Sequence, residues 1–183
     1  MRALFCQGRR MPLDPPLGAP PDVVRAALAP LRNDFSVALW TPGNAFAVGA
    51  VIRIAHSFLA REVFLIGEEP FYEKATMGMH KYETITTLAS GLELVQATNG
   101  RPIWAVERDQ SRRSLWGSFA FPPGVVFVFG SERFGIPPDV ISTADEIVGV
   151  PVFGVNQSLP LAVAAGIVMS EWARRHYMPG LVL

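Results

Sequence analysis

Two glycine-containing turns, each following an apolar run, are the residues best placed to hold a ligand. The run VVFVF at 125–129 stops at Gly130 and gives way to Ser131-Glu132-Arg133. A second run, 146–153, stops at the turn 154–157, after which Ser158 opens a long apolar stretch. Strands ending in such turns present backbone N–H and C=O groups along one sheet edge, where α/β proteins bind ligands. Reactive side chains are few elsewhere. Gly49 and Arg53 lie one helical turn apart, so the missing side chain at Gly49 would leave space beside the guanidinium. A solvated arginine on an amphipathic helix fits that pattern equally. The polar segment 77–82 (MGMHKY), with His80 and Lys81, reads either as a solvated turn or as an RNA-facing loop. Cys6 stands alone, and His56, His80 and His176 lack ligand spacing, so neither a disulfide framework nor a metal site is expected.

The elements that would position these residues alternate along the chain. Apolar runs at 35–40, 62–66, 102–106, 125–129 and 146–153 read as five buried strands. Between the first two, a helix capped by Asn44 runs to about residue 60, with Phe46, Ala50, Val51, Ile54, Ala55 and Phe58 on its apolar face. Residues 70–75 and 86–98 read as helical, and 107–113 as a charged, solvated loop. The last helix starts at Ser158 and tolerates Pro160 in its first turn. It is apolar on nearly every side over 161–169, which predicts burial all round. A single sheet covers one flank, so the other is expected to meet a second copy: a homodimer through the C-terminal helix. Pro-rich residues 1–33 read as an N-terminal arm with a short helix at 22–31 capped by Asp22, and 34–183 as one α/β domain.

Composition narrows the function classes. The formal net charge is zero, so any nucleic-acid surface must be local. Fourteen of the 16 basic residues are Arg, the better bidentate phosphate ligand, although genome composition gives the same bias. No N-terminal apolar segment resembles a secretory signal, and the longest apolar run is too short to span a bilayer; a cytoplasmic protein is expected.

Three segments, VGAVIR (48–53), FGSERFGIP (129–137) and VPVFGVNQSLPLAVAA (150–165), resemble in order and spacing the SpoU-type RNA 2′-O-ribose methyltransferases of the SPOUT superfamily. The likeness covers most of 35–183, and the ending YMPGLVL is similar to the tail of the short tRNA-acting members. The resemblance implies a mostly parallel α/β sheet flanked by helices, with a C-terminal trefoil knot, and a dimer. It implies S-adenosylmethionine as cofactor, held by Val106, Gly130, Glu132, Val150, Val152, Ser158 and Leu159. It further implies Arg53, Glu132 and Ser158 as catalytic residues, and Arg53, Arg133 and Lys81 as RNA contacts. A tRNA is the expected substrate, with rRNA as the alternative.

Two positions depart from the family pattern. Ala47 stands six residues before Arg53 where the family has Asn, with Asn44 three residues earlier. Pro160 replaces the Asn of Ser-Leu-Asn, and Asn156 or Gln157 could supply its hydrogen bonds. These departures leave open a knotted RNA-binding homologue without catalysis. A nicotinamide-dependent oxidoreductase also fits a doubly wound sheet, but GSERFG is not GxGxxG.

Overall fold

The structure, a computed structural model, describes residues 19–156 and 158–178. Expectations for Cys6, for residues 1–18 of the arm, for Gln157 and for the tail 179–183 fall outside the described residues.

Seven strands form one sheet in the order β3-β2-β1-β6-β4-β7-β5. They are β1 (Phe35–Trp40), β2 (Val63–Ile66), β3 (Ile85–Leu88), β4 (Ile103–Val106), β5 (Arg113–Ser114), β6 (Val125–Phe129) and β7 (Glu146–Gly149). Every neighbouring pair is parallel, so both faces must be covered. Alternation along the strands builds two cores. Phe35, Val37, Leu39, Val125, Phe127 and Phe129 face α2 (Ala45–Ser57) and α5 (Leu161–Tyr177), which pack on each other. Ala38, Val126 and Val128 share the opposite core with Leu94 of α3 (Gly91–Thr98) and Val140 of α4 (Pro138–Ile141). The approach of α3 to α4 needs Gly91, where a Cβ would lie 2.9 Å from Asp139 O.

Several expectations are corrected. The segment 86–98 is not one helix: Ile85–Leu88 pairs with β2, and α3 begins only after Ser90, whose Oγ accepts from Glu93 N. The β-branched Ile85, Thr86 and Thr87 suit a strand, and the Ser90 cap marks the true start. Part of the supposed charged loop is edge strand β5, paired with β7. β7 ends at Gly149, and 150–153 continues without ladder partners. Residues 73–76 and 79–82 form short 3-10 turns. α5 starts at Leu161, not Ser158, because Pro160 holds an extended ψ of 140° as its cap.

The N-terminal helix α1 (Pro21–Leu28) lacks an Asp22 cap; Pro20 occupies the cap position. It packs on the body through buried Val24 and Leu28. Just beyond it, Arg32 pairs with the fully buried carboxylate of Glu83. Within α2, Phe46 is exposed and stacks on Tyr72, while Ala47, Val48 and Ile52 are buried. In α5 only one flank is buried, through Leu161, Ala165, Val168, Met169 and Trp172; Val163 remains 47% exposed.

Candidate active site

At the C-terminal ends of β4, β6 and β7 the chain makes two tight turns around one cavity of about 640 Å³. The first follows β6. Ser131 and Gly135 bond reciprocally (Ser131 N to Gly135 O, 3.1 Å; Gly135 N to Ser131 O, 2.9 Å), and Ser131 Oγ accepts from Phe134 N. Gly135 closes the turn at a φ of +67°. Gly130 has no room for a side chain, since a Cβ would lie 2.2 Å from Gly135 C. The second turn leads from β7 into α5. Asn156 Oδ1 accepts from both N and Oγ of Ser158, each at 3.2 Å. Asn156 thus supplies a side-chain hydrogen bond close to Pro160, which itself can donate none.

Glu132 joins the two sides of this cavity. Its Oε1 accepts from the backbone N of Leu161 at 3.0 Å, satisfying an otherwise unpaired donor at the start of α5. Its Oε2 accepts from Asn44 Nδ2. Asn44 Oδ1 in turn accepts from Ala47 N at 3.0 Å and caps α2. A negative charge at the α5 N-terminus is also favourable for the helix dipole. No local sequence pattern announces this link, because residues 44, 132 and 161 meet only in the folded chain.

The seven residues expected to line a pocket, Val106, Gly130, Glu132, Val150, Val152, Ser158 and Leu159, all line this one. Sequence reasoning missed Glu107 and Ala164 in its wall, and Asn156, expected there only as a substitute for the Asn replaced by Pro160, lines it too. Glu107 directly follows β4, and its Oε1 accepts from Arg108 N at 2.9 Å. The volume, the mixed apolar and backbone lining, and the close turns suit a ligand of nucleoside size.

Arg53 does not line the cavity. It is exposed on α2, and among the described residues its guanidinium has no hydrogen-bond or ion-pair partner. Nine residues separate it from Asn44, about 14 Å along the helix axis. Gly49 does not open space beside it, because Gly49 faces the Tyr72 carbonyl, which a Cβ would approach to 2.5 Å. Arg133 is exposed and lies over the Phe134 ring at 5.2 Å. Lys81 is also exposed, and its carbonyl accepts from Arg25 Nη1 at 3.2 Å. The three candidate RNA contacts are therefore outside the cavity. No cluster of His, Cys, Asp or Glu able to hold a metal occurs among the described residues, and no helix there is long and apolar enough to cross a membrane.

Comparison with known proteins agrees with this architecture. A tRNA/rRNA methyltransferase of Mycobacterium ulcerans, itself uncharacterized, is 28% identical over 92% of the chain, but the match covers 56% of that relative. The chain thus spans little more than half of that curated relative's length. The tRNA (cytidine(34)-2′-O)-methyltransferase of Methylovorus glucosotrophus is 26% identical, over 81% of this chain and 99% of its own. Among solved structures, an AdoMet-bound rRNA methyltransferase from Sinorhizobium meliloti superposes with a TM-score of 0.68 at 27% identity, covering 84% of this chain and 60% of that one. The family model described as the SpoU rRNA Methylase family matches residues 34–170. The chain belongs to the SpoU rRNA Methylase family.

Proposed function

We propose that the protein transfers a methyl group from S-adenosylmethionine to a ribose 2′-hydroxyl of RNA, with tRNA as the favoured substrate. The observation carrying this reading is the cavity at the ends of β4, β6 and β7, lined by all seven expected cofactor residues. When bound, S-adenosylmethionine supplies an electrophilic methyl on a positively charged sulfur and leaves as S-adenosylhomocysteine. The chain's own residues bind and orient. Val106, Val150 and Leu159, together with backbone groups of the two turns, would hold the cofactor. Glu132 holds the start of α5 against the start of α2 and so keeps the pocket's shape; its role is positioning.

Arg53 stabilises the developing 2′-alkoxide and the neighbouring phosphate as a fixed positive charge. A guanidinium is not deprotonated in proteins, so it does not take the hydroxyl proton, which is released to water as the oxygen takes the methyl. Because Arg53 does not line the cavity of its own chain, the reading includes a homodimer. The unpaired flank of α5, with exposed Val163, supports that part. A C-terminal knot is also part of the reading. Its support is that β7 lies between β4 and β5, strands joined only by residues 107–112. The relative acting on cytidine 34 of tRNA, matched over almost its whole length, favours tRNA.

Calorimetry with S-adenosylmethionine, followed by transfer of labelled methyl to unfractionated tRNA, tests this function. Saturable cofactor binding and label on ribose 2′-oxygens are expected. Absent cofactor binding, or label on bases, refutes it. Arg53→Ala should keep cofactor affinity within about twofold while turnover drops at least a hundredfold.

A further inference from the structure

Next to the cofactor cavity is a second cavity of about 340 Å³, walled by residues 111–114 on one side and 149–152 on the other. The two share Arg108, Val150 and Val152, so one opens beside the other. Parallel pairing of β5 with β7 sets the walls side by side, Arg113 opposite Val148 and Ser114 opposite Gly149. Gly149 is required there, because a Cβ would lie 2.6 Å from Ser111 Oγ.

Three arginines line this groove and differ in commitment. Arg108 binds Asp109 through Nε at 2.8 Å. Arg113 binds Glu146 through Nε at 3.0 Å and lies 5.0 Å over the Phe119 ring. Arg112 is fixed through its backbone, whose N donates to Ile147 O at 3.0 Å. Its exposed guanidinium has no ion-pair partner among the described residues. Each wall then runs into an exposed aromatic ring. Trp116 is 55% exposed and its N is held by Ser114 Oγ; Phe153 is 87% exposed. The two rings stack with centroids 6.0 Å apart and planes 28° apart. A cationic groove ending in a solvent-facing aromatic stack suits a single nucleic-acid strand, whose phosphates take the charge and whose bases take the stack.

We propose that this groove binds a single-stranded RNA segment flanking the methylated nucleotide, with Arg112 on a backbone phosphate and one base on the Trp116–Phe153 pair. The inference rests on the RNA-methyltransferase reading above and adds where the strand lies. Its test uses the full-length protein, a labelled single-stranded oligoribonucleotide and unfractionated tRNA, measured by anisotropy across a salt series. Trp116→Ala should weaken RNA binding roughly five- to a hundredfold, and Trp116→Tyr should restore most of it. Arg112→Ala should reduce the slope of log affinity against log salt by about one. Cofactor affinity and solution mass should stay at wild-type values in all three. Unchanged RNA affinity in Trp116→Ala and Arg112→Ala, with wild type still methylating RNA, overturns the groove alone. A fall in mass on Trp116→Ala overturns it too, since the pair would then be a contact between copies. Wild type that binds cofactor but no RNA removes the reading on which the groove depends.

Discussion

Glu132 shows how one side chain can set the shape of a site without reacting in it. Both of its oxygens are engaged, one by the Leu161 N–H and one by the Asn44 amide. Removing the carboxylate leaves the first N–H of α5 without its acceptor and frees the α2 cap to rotate. Glu132→Ala should therefore lower unfolding stability by about 1 kcal/mol in a urea titration and weaken cofactor binding. Glu132→Gln keeps an acceptor oxygen and should recover most of the stability. A Gln variant as destabilised as the Ala variant would point to the charge at the helix terminus instead. Gly130 is the steric counterpart. Gly130→Ala forces the turn 131–135 apart and should cost about 1–3 kcal/mol, with loss of cofactor affinity. An Ala variant of normal stability and affinity would mean that the turn is slack.

At the scale of elements, α5 anchors the loop that leads into β6. Arg175 donates to the carbonyls of Leu115, Gly117 and Phe119 and lies 4.1 Å over the Phe119 ring, while Glu171 holds its Nε at 2.7 Å. Arg175→Met keeps the aliphatic stem but removes every donor, and should destabilise the fold by roughly 2 kcal/mol in denaturant unfolding. The hydrogen bond from Arg174, followed by that from Arg175, holds the Glu171 carboxyl below its ordinary value of 4.5, against an opposing effect of burial. Because the folded value is the lower one, this contribution is complete above the unfolded value and fades as the pH falls through the folded one. The stability advantage of wild type over Glu171→Gln should thus be full at neutral pH and shrink below about 4.5. An advantage that persists into stronger acid would show that packing, not charge, is responsible.

The same element shows what the sequence could and could not reveal. The helix itself and the strands at 35–40 and 125–129 were legible, because burial on both faces of a parallel sheet imposes continuous apolar runs, although only one flank of the helix is buried rather than all of it. Strands β3 and β5 were not. Each is four residues or fewer, and each is a strand only because a neighbour pairs with it. The pocket residues were legible through their turns. The Asn44–Glu132–Leu161 link was not, since it joins positions 88 and 29 residues apart.

Across the whole molecule, the N-terminal segment is bound to the domain by a buried charge cluster. Glu83 is fully buried in its side chain and receives Arg32 and His56, the latter at 2.6 Å, while Arg32 also donates to the carbonyls of Ala60 and Tyr82. None of Arg32, His56 and Glu83 lines the cavity at the ends of β4, β6 and β7. The division of the reacting groups matters more. Within one chain Arg53 does not line the cavity to which Glu132 and Leu159 belong. In the dimer proposed above, each chain's Arg53 would serve its partner's cavity, making each site composite. Co-expression of two inactive variants tests this. Arg53→Ala has an intact cavity; Leu159→Trp has a blocked cavity and an intact Arg53. If Arg53 acts on the partner's cavity, random pairing gives half mixed dimers with one working site each, restoring about a quarter of wild-type methyl transfer. If Arg53 acts within its own chain, every site in the mixture carries a defect and transfer stays at background.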